Sequence, residues 1–166
     1  MTDIRTIWND ALLGGDWLID PPALASGGDL ETAVLLSLFT DARAADDDRV
    51  PGAQDDRRGW WAAPLGSRLW LLTREIATNE VRLRAEDYCR DALAWMIEDG
   101  VADQIDVAAA YAPPPAEPGR LDVEVAIYRN GNVIFARRYD RVWNAAQREA
   151  ATLGAPTPRP LSPGRV

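Results

Sequence analysis

The side chains that move protons, attack carbonyls or hold metals are scarce in this sequence. Histidine is absent, which removes the commonest general acid/base and the commonest metal ligand together. A Ser-His-Asp or Cys-His pair cannot be assembled, nor can a Cys/His zinc site. The one cysteine, Cys89, has no disulfide partner within the chain, which suits a reducing compartment. It falls on the apolar stripe of a predicted helix, away from the electropositive setting that activates a thiol, and reads as a core residue. The remaining candidates are the acidic runs Asp46-Asp47-Asp48 and Asp55-Asp56. A calcium loop needs ligands at alternating positions and a turn glycine in register, and Gly52 does not supply that register. These runs read as a solvated loop. Phosphate-binding glycine patterns are missing. No catalytic, cofactor-binding or metal-binding residue is assigned.

Two other groupings suit recognition rather than catalysis. Arg57 and Arg58 stand just before Trp60 and Trp61 in a chain with seven tryptophans. Neighbouring residues of an extended segment point opposite ways, so one tryptophan can be buried while the other faces outward beside arginine, the composition of a binding hot spot. The competing reading is a pair of core anchors under a long loop. The second grouping is a hairpin around Asn130-Gly131, two residues that tolerate positive φ. A small sheet leaves edges that can accept a partner's strand. The last strand carries Arg137, Arg138 and Arg141, which predicts an edge guarded by charge until a partner arrives.

Length and charge set the frame for these groups. The chain has 166 residues, 47% of them hydrophobic and 27% charged, an ordinary globular composition with room for one modest core. No apolar run approaches the roughly 20 residues of a membrane span. The start, Met1-Thr2-Asp3-Ile4-Arg5, lacks a basic-then-apolar leader pattern, which predicts a cytoplasmic site of synthesis. The net charge is −8 and every basic residue is arginine. That balance argues against non-specific nucleic-acid binding, which needs clustered positive charge. The charge is uneven, net −9 over residues 1–56 and net +3 over residues 120–148, so the acidic front and basic rear either pair internally or face different partners.

The elements that must position these groups change period along the chain. Residues 1–28 read as short extended pieces broken by Gly14-Gly15, Pro21-Pro22 and Gly27-Gly28. Asp29 is placed as the N-cap of a short helix running from Leu30 to about Thr40. Residues 41–59 form the acidic loop. Ser67 is placed as the cap of a second short helix to about Ile76, burying Leu69, Leu72 and Ile76. The clearest helix runs from about Asn79 to Asp99: Val81, Ala85, Tyr88, Ala92 and Trp95 recur at three- and four-residue spacing. Cys89, Leu93, Met96 and Ile97 widen the stripe, Arg82, Arg84, Glu86, Asp87, Arg90 and Asp91 form the polar side, and Gly100 ends the helix. Alternation then takes over at Ile105, Val107, Ala109 and Tyr111, and again at Leu121, Val123, Val125 and Ile127, before a return strand from Asn132 to Trp143. Pro113, Pro114, Pro115 and Pro118 mark a loop between strands. The expected fold is α+β: short N-terminal helices and one long helix packed on a three-stranded antiparallel sheet with a C-terminal hairpin. Residues 1–153 form one domain, and the proline-rich segment 154–166 is extended or disordered.

Several blocks in fixed order carry a family likeness. They are residues 28–34 (Gly-Asp-Leu-Glu-Thr-Ala-Val), 38–43 (Leu-Phe-Thr-Asp-Ala-Arg), 55–61 (Asp-Asp-Arg-Arg-Gly-Trp-Trp), 66–72 (Gly-Ser-Arg-Leu-Trp-Leu-Leu), 92–95 and 99–102. Over roughly residues 4 to 143 the chain resembles the small baseplate protein family of Mu-like phages. That family is similar to the sheath-initiator, or lysozyme-like, baseplate wedge proteins of contractile tails, whose Gly-Glu-Arg loop, Pro and Gly-Ser step are matched in order by Asp56-Arg57-Arg58-Gly59, Pro64 and Gly66-Ser67. Here Asp replaces Glu and one Arg is added.

The resemblance implies a structural protein of the virion tail baseplate, made in the host cytoplasm. It implies sheet edges that template the first ring of the tail sheath protein and a remaining surface that meets baseplate wedge proteins and the tail tube or hub, with no cofactor, nucleic acid or membrane. The partner-binding residues expected on this basis are Arg57, Arg58, Trp60 and Trp61 towards the wedge, and Val133, Phe135, Arg137, Tyr139 and Arg141 towards the sheath. The reading from another class is a cell-wall (peptidoglycan) hydrolase with an acidic pair. Glycoside hydrolysis needs two carboxyls flanking a sugar cleft, and no pair stands out. A third reading is a small adaptor domain unrelated to phages.

Overall fold

The computed structural model of the chain describes residues 4–9, 14–20, 23–24, 27–51, 56–59, 64–116 and 119–144. Trp60, Trp61 and the segment 154–166 lie outside the described residues. The order of elements is β1 (Thr6–Asn9), β2 (Gly14–Trp17), β3 (Ile19–Asp20), β4 (Ala23–Leu24), α1 (Asp29–Phe39), a 3-10 helix (Leu69–Arg74), α2 (Asn79–Leu93), α3 (Trp95–Glu98), β5 (Gln104–Tyr111), β6 (Arg120–Arg129) and β7 (Asn132–Asn144). Strands β5, β6 and β7 form an antiparallel meander, and β1–β2 and β3–β4 are two small antiparallel hairpins. The α+β class with a long helical element on a three-stranded sheet is as the pattern predicts, and the N-terminal pieces are organised as hairpins.

Helix α1 starts at Asp29, not after it. Gly28, with φ 71°, is the cap residue, and Asp29 is the first residue of the helix. A first-turn carboxylate still favours the positive helix end. The far end is clamped by the Gly66-Ser67 step. Ser67 Oγ donates to Leu38 O at 2.5 Å, Ser67 N–H donates to Thr40 O, and Ala42 N–H donates to Ser67 O. A Cβ on Gly66 would stand 2.2 Å from Thr40 O, and its φ is +106°, so this close approach requires glycine. Ser67 also accepts from Leu69 N–H, but the cap residue of the following helix is Arg68. That helix is 3-10 and ends at Arg74, which leaves Ile76 exposed, while Trp70, Leu71 and Leu72 are buried.

The long helical stretch behaves as its periodicity predicts. Thr78 Oγ1 accepts from Val81 N–H at 3.2 Å as the N-cap. Val81, Ala85, Tyr88, Cys89, Leu93 and Met96 are buried. Between α2 and α3, Ala94 keeps helical dihedrals but its N–H donates to Asp91 O, a tightened step. Gly100, at φ 69°, turns the chain so that Val101 N–H and Ala102 N–H both reach Met96 O. Ile97 falls one residue past Met96, rotated by about 100°, and is exposed rather than part of the buried stripe.

In the sheet, Leu121, Val123, Val125 and Ile127 face inward and are buried. Helix α2 packs along β5, and α1 with β1 lies across the inner side of β7. There Trp8 stacks on Phe39 with ring centroids 4.1 Å apart, and both meet Tyr139 edge-on. Thr32 Oγ1 accepts from Thr6 N–H and ties β1 to α1.

Candidate strand-pairing interface

A three-stranded meander has two edges, and here they are treated differently. On β5 three outward main-chain groups at the centre of the strand are occupied by side chains of α2. Ala109 N–H donates to Glu86 Oε1 at 3.0 Å in a buried bond. Arg82 Nη1 donates to Ala109 O at 3.2 Å, and Arg90 Nη2 to Val107 O at 3.1 Å. Glu86 sits between the two arginines, bonded to Arg82 at 2.5 Å and to Arg90 at 3.3 Å. Residues 82, 86 and 90 lie one turn apart on one helix face, so a single row of side chains runs beside the strand. Glu86 is 8% exposed. Sequence reasoning set it on the polar side. The signal for its role was its four-residue spacing from an arginine on each side.

The pairing then fixes the other edge. The groups of Val107 and Ala109 point away from β6, so the even-numbered residues of β5 and β6 bond each other in this register, and the odd-numbered residues of β6 bond β7. Phe135, Arg137 and Tyr139 therefore pair with β6 through Ile127, Val125 and Val123. Ala136 and Arg138 direct their N–H and C=O to the outer edge of β7. Among the described residues no main-chain partner reaches these groups.

The residues expected to meet a partner are distributed unevenly along β7. Val133 is 56% exposed and Ile134 41% exposed at the hairpin end. Ile127 pairs with Phe135 and Tyr128 with Val133, so Ile134 is an extra, bulged residue. Val133 is thereby out of phase with Phe135. Phe135 is half-buried against the core. Arg137 is held by an ion pair with Glu31 of α1, which Arg5 also approaches at 3.5 Å, and its guanidinium lies 5.8 Å from the Tyr139 ring. Tyr139 is a correction: it is fully buried, the largest side chain at the centre of the core, and it presents no surface. Its hydroxyl has no hydrogen-bond partner among the described residues, and burial raises its pKa well above the usual phenol range. Arg141 lies in an irregular stretch where β7 spends five residues, Tyr139 to Trp143, against three of β6, Leu121 to Val123.

The charges of Arg137 and Arg138 are already matched. Arg138 bonds Asp122 at 2.6 Å and Asp140 at 2.9 Å, and Arg120 bonds the same two carboxylates. Hydrogen bonding to Asp122 raises the pKa of both arginines. Asp122 is 4% exposed, so this network stands at the base of the hairpin and does not repel an incoming strand. The expected charge guard on β7 is accordingly absent for Arg137 and Arg138.

Arg57 and Arg58 brace their own loop. Arg57 donates to Ala45 O and Asp46 O, and its carbonyl accepts from Ala44 N–H. Arg58, at φ 49°, pairs with Asp41 at 2.5 Å and lies over the Trp70 ring at 4.5 Å. The acidic run has a similar duty: Asp48 accepts from Ala45 N–H and pairs with Arg68. Cys89 is buried as expected, and burial pushes its thiol up to about 12.

The family model described as Phage protein GP46 matches residues 30–133, from α1 to the second residue of β7. The Baseplate protein gp46 of Escherichia phage Mu is 44% identical over 114 residues, covering 66% of this chain and 77% of that protein. The Mu-like prophage FluMu protein gp46 of Haemophilus influenzae is 31% identical over 116 residues, with the same shares of coverage.

Proposed function

The chain belongs to the Phage protein GP46 family of Mu-like baseplate proteins, and from that premise we propose how its sheet serves there. The chain is a structural part of a phage tail baseplate. In our reading the outer edge of β7 accepts a strand from the tail sheath protein and so starts the sheath. The observation that carries this is the run of main-chain groups at Ala136 and Arg138 that has no main-chain partner among the described residues, on a strand of 13 residues where Arg137 and Arg138 are paired with carboxylates of the same chain. Strand addition gains its affinity from such groups and its register from side-chain pockets. Val133 and Ile134 add exposed apolar surface at one end. The baseplate name of the phage Mu relative speaks for a structural part rather than a cell-wall hydrolase.

The test is Ala136→Pro. Proline removes an outward N–H that β6 does not use, so the chain should keep its fold. Particles assembled with this variant should show tubes without sheath in negative stain, beside an unfolding midpoint close to that of the parent chain. Full-length sheath on such particles would overturn the reading.

The same reading assigns wedge proteins to the loop of Arg57, Arg58, Trp60 and Trp61. Arg57 and Arg58 are held by Ala45, Asp46 and Asp41, which leaves these two side chains less ordering entropy to lose on binding. An Arg58→Ala, Trp61→Ala double variant is expected to leave baseplates short of wedge components. Unchanged baseplate composition would refute the assignment.

A further inference from the structure

An edge strand left open is a template for any other strand, including its own copy. Two such edges on one small sheet would allow growth in both directions. The row formed by Arg82, Glu86 and Arg90 meets the edge of β5 at its centre and uses one donor, Ala109 N–H, and two acceptors, Val107 O and Ala109 O. These are groups at the centre of the edge that an incoming strand would need. Each bond in the row involves a charged side chain, and such bonds are the stronger kind. A partner strand would have to displace all three and leave Glu86 buried between two arginines without its amide donor.

We propose that the Arg82–Glu86–Arg90 row is a specificity device that withholds the β5 edge from strand pairing. The sheet then adds a strand on one side only. The occupant excluded first is β5 of a second copy. Two such strands present the same groups to each other, and an isologous antiparallel pair closes at once. The neighbouring side chains on the outer face, Ala108 and Ala110, are small and exposed, so they offer no steric guard. The exclusion at β5 stands on this geometry alone; the choice of β7 as the growing side rests on the function proposed above.

Hydrogen exchange on the intact chain tests the seal directly. The Ala109 amide faces away from β6, yet it should exchange at least about 100-fold more slowly than the outward amides of Ala136 and Arg138. Equal rates would overturn the proposal. The second arm replaces Arg82, Glu86 and Arg90 together by alanine and compares sedimentation with that of the parent chain at equal concentration. The stripped chain should form a self-associated species that the parent lacks. Glu86→Gln, which keeps an oxygen to accept from Ala109 N–H, should behave as the parent does. A folded stripped chain with the parent's sedimentation would overturn the proposal. If that chain fails to fold, the exchange rates of the parent decide. Neither arm contains a tail or a sheath protein, so a failure here is distinct from a failure of the sheath reading.

Discussion

The edges of β5 and β7 are built from similar materials and end in opposite states. Each has arginines nearby and each has carboxylates within reach. On β5 the guanidiniums of Arg82 and Arg90 turn onto main-chain carbonyls, and Glu86 takes the one amide between them. On β7 the guanidiniums of Arg137 and Arg138 turn away from the main chain, onto Glu31, Asp122 and Asp140. The same residue type therefore closes one edge and leaves the other open. Where the arginine is anchored decides the outcome: a helix running beside the strand delivers its side chains to the edge, whereas an arginine on the strand itself projects above or below it.

The largest effect that would break this comparison is on stability at the sealed side. Glu86→Ala leaves a buried amide unpaired and two arginines without their shared carboxylate. The expected cost is about 2–3 kcal/mol, between that of an unsatisfied buried donor and that of a broken buried ion pair, since both arginines are partly exposed. Arg138→Ala on the open side removes an exposed arginine while Asp122 keeps Arg120, and should cost less than about 1 kcal/mol. Denaturant unfolding of the two variants measures the difference. Equal costs would mean that the β5 row is as dispensable as surface charge.

Much of this arrangement was legible in the sequence, and the parts that were not share a cause. Period-two alternation identified Leu121, Val123, Val125 and Ile127 as the buried face, because a one-residue slip would have exposed all four. The three- and four-residue stripe identified α2, and Asn130-Gly131 identified the turn. Tyr139 was misassigned to a partner although it shares the inward face with Val123; its burial depends on Trp8 and Phe39, which are remote in sequence. The bulge at Ile134 is defined only by the opposing strand. Glu86 is the clearest case. A helical wheel places it beside the stripe, but only the edge of β5, more than 20 residues away, gives an acid there something to bind. The Arg57–Trp61 block was legible as a motif, and its two arginines prove to hold their own loop, a duty that composition does not distinguish from binding.

A smaller effect sharpens the comparison through pH. Cys89 lies on α2 between Glu86 and Arg90 in sequence and points into the core, where burial pushes its thiol up to about 12. The unfolded thiol titrates near 8.5–9. Above that pH the unfolded chain releases a proton that the folded chain retains. The stabilisation is complete below about pH 8.5 and is lost progressively as pH rises towards 12. Between pH 9 and pH 10 the loss should be about 1 kcal/mol. In Cys89→Ala the thiol's share of that slope should disappear, leaving the smaller share of the buried phenols Tyr88, Tyr111 and Tyr139, whose pKa values burial also raises. Urea unfolding of both chains at the two pH values measures it. An unchanged slope in the variant would mean that another group governs the alkaline loss on the sealed side.

The smallest effect concerns the open side and separates its core from its surface. The Tyr139 hydroxyl is buried without a partner among the described residues, beneath the strand whose edge is free. A buried polar group left unpaired is unfavourable, and removing it while keeping the ring restores an apolar fit. Tyr139→Phe is therefore expected to stabilise the chain by up to about 1 kcal/mol, with the edge-on contacts of Trp8 and Phe39 to the ring retained. The variant should also assemble sheath as the parent does, because the main-chain groups of residue 139 face β6 and its side chain faces the core. A stable Tyr139→Phe chain that nevertheless fails to carry sheath would move the contact from the edge of β7 to its inner face. The open edge would then be a by-product of the meander rather than its working surface.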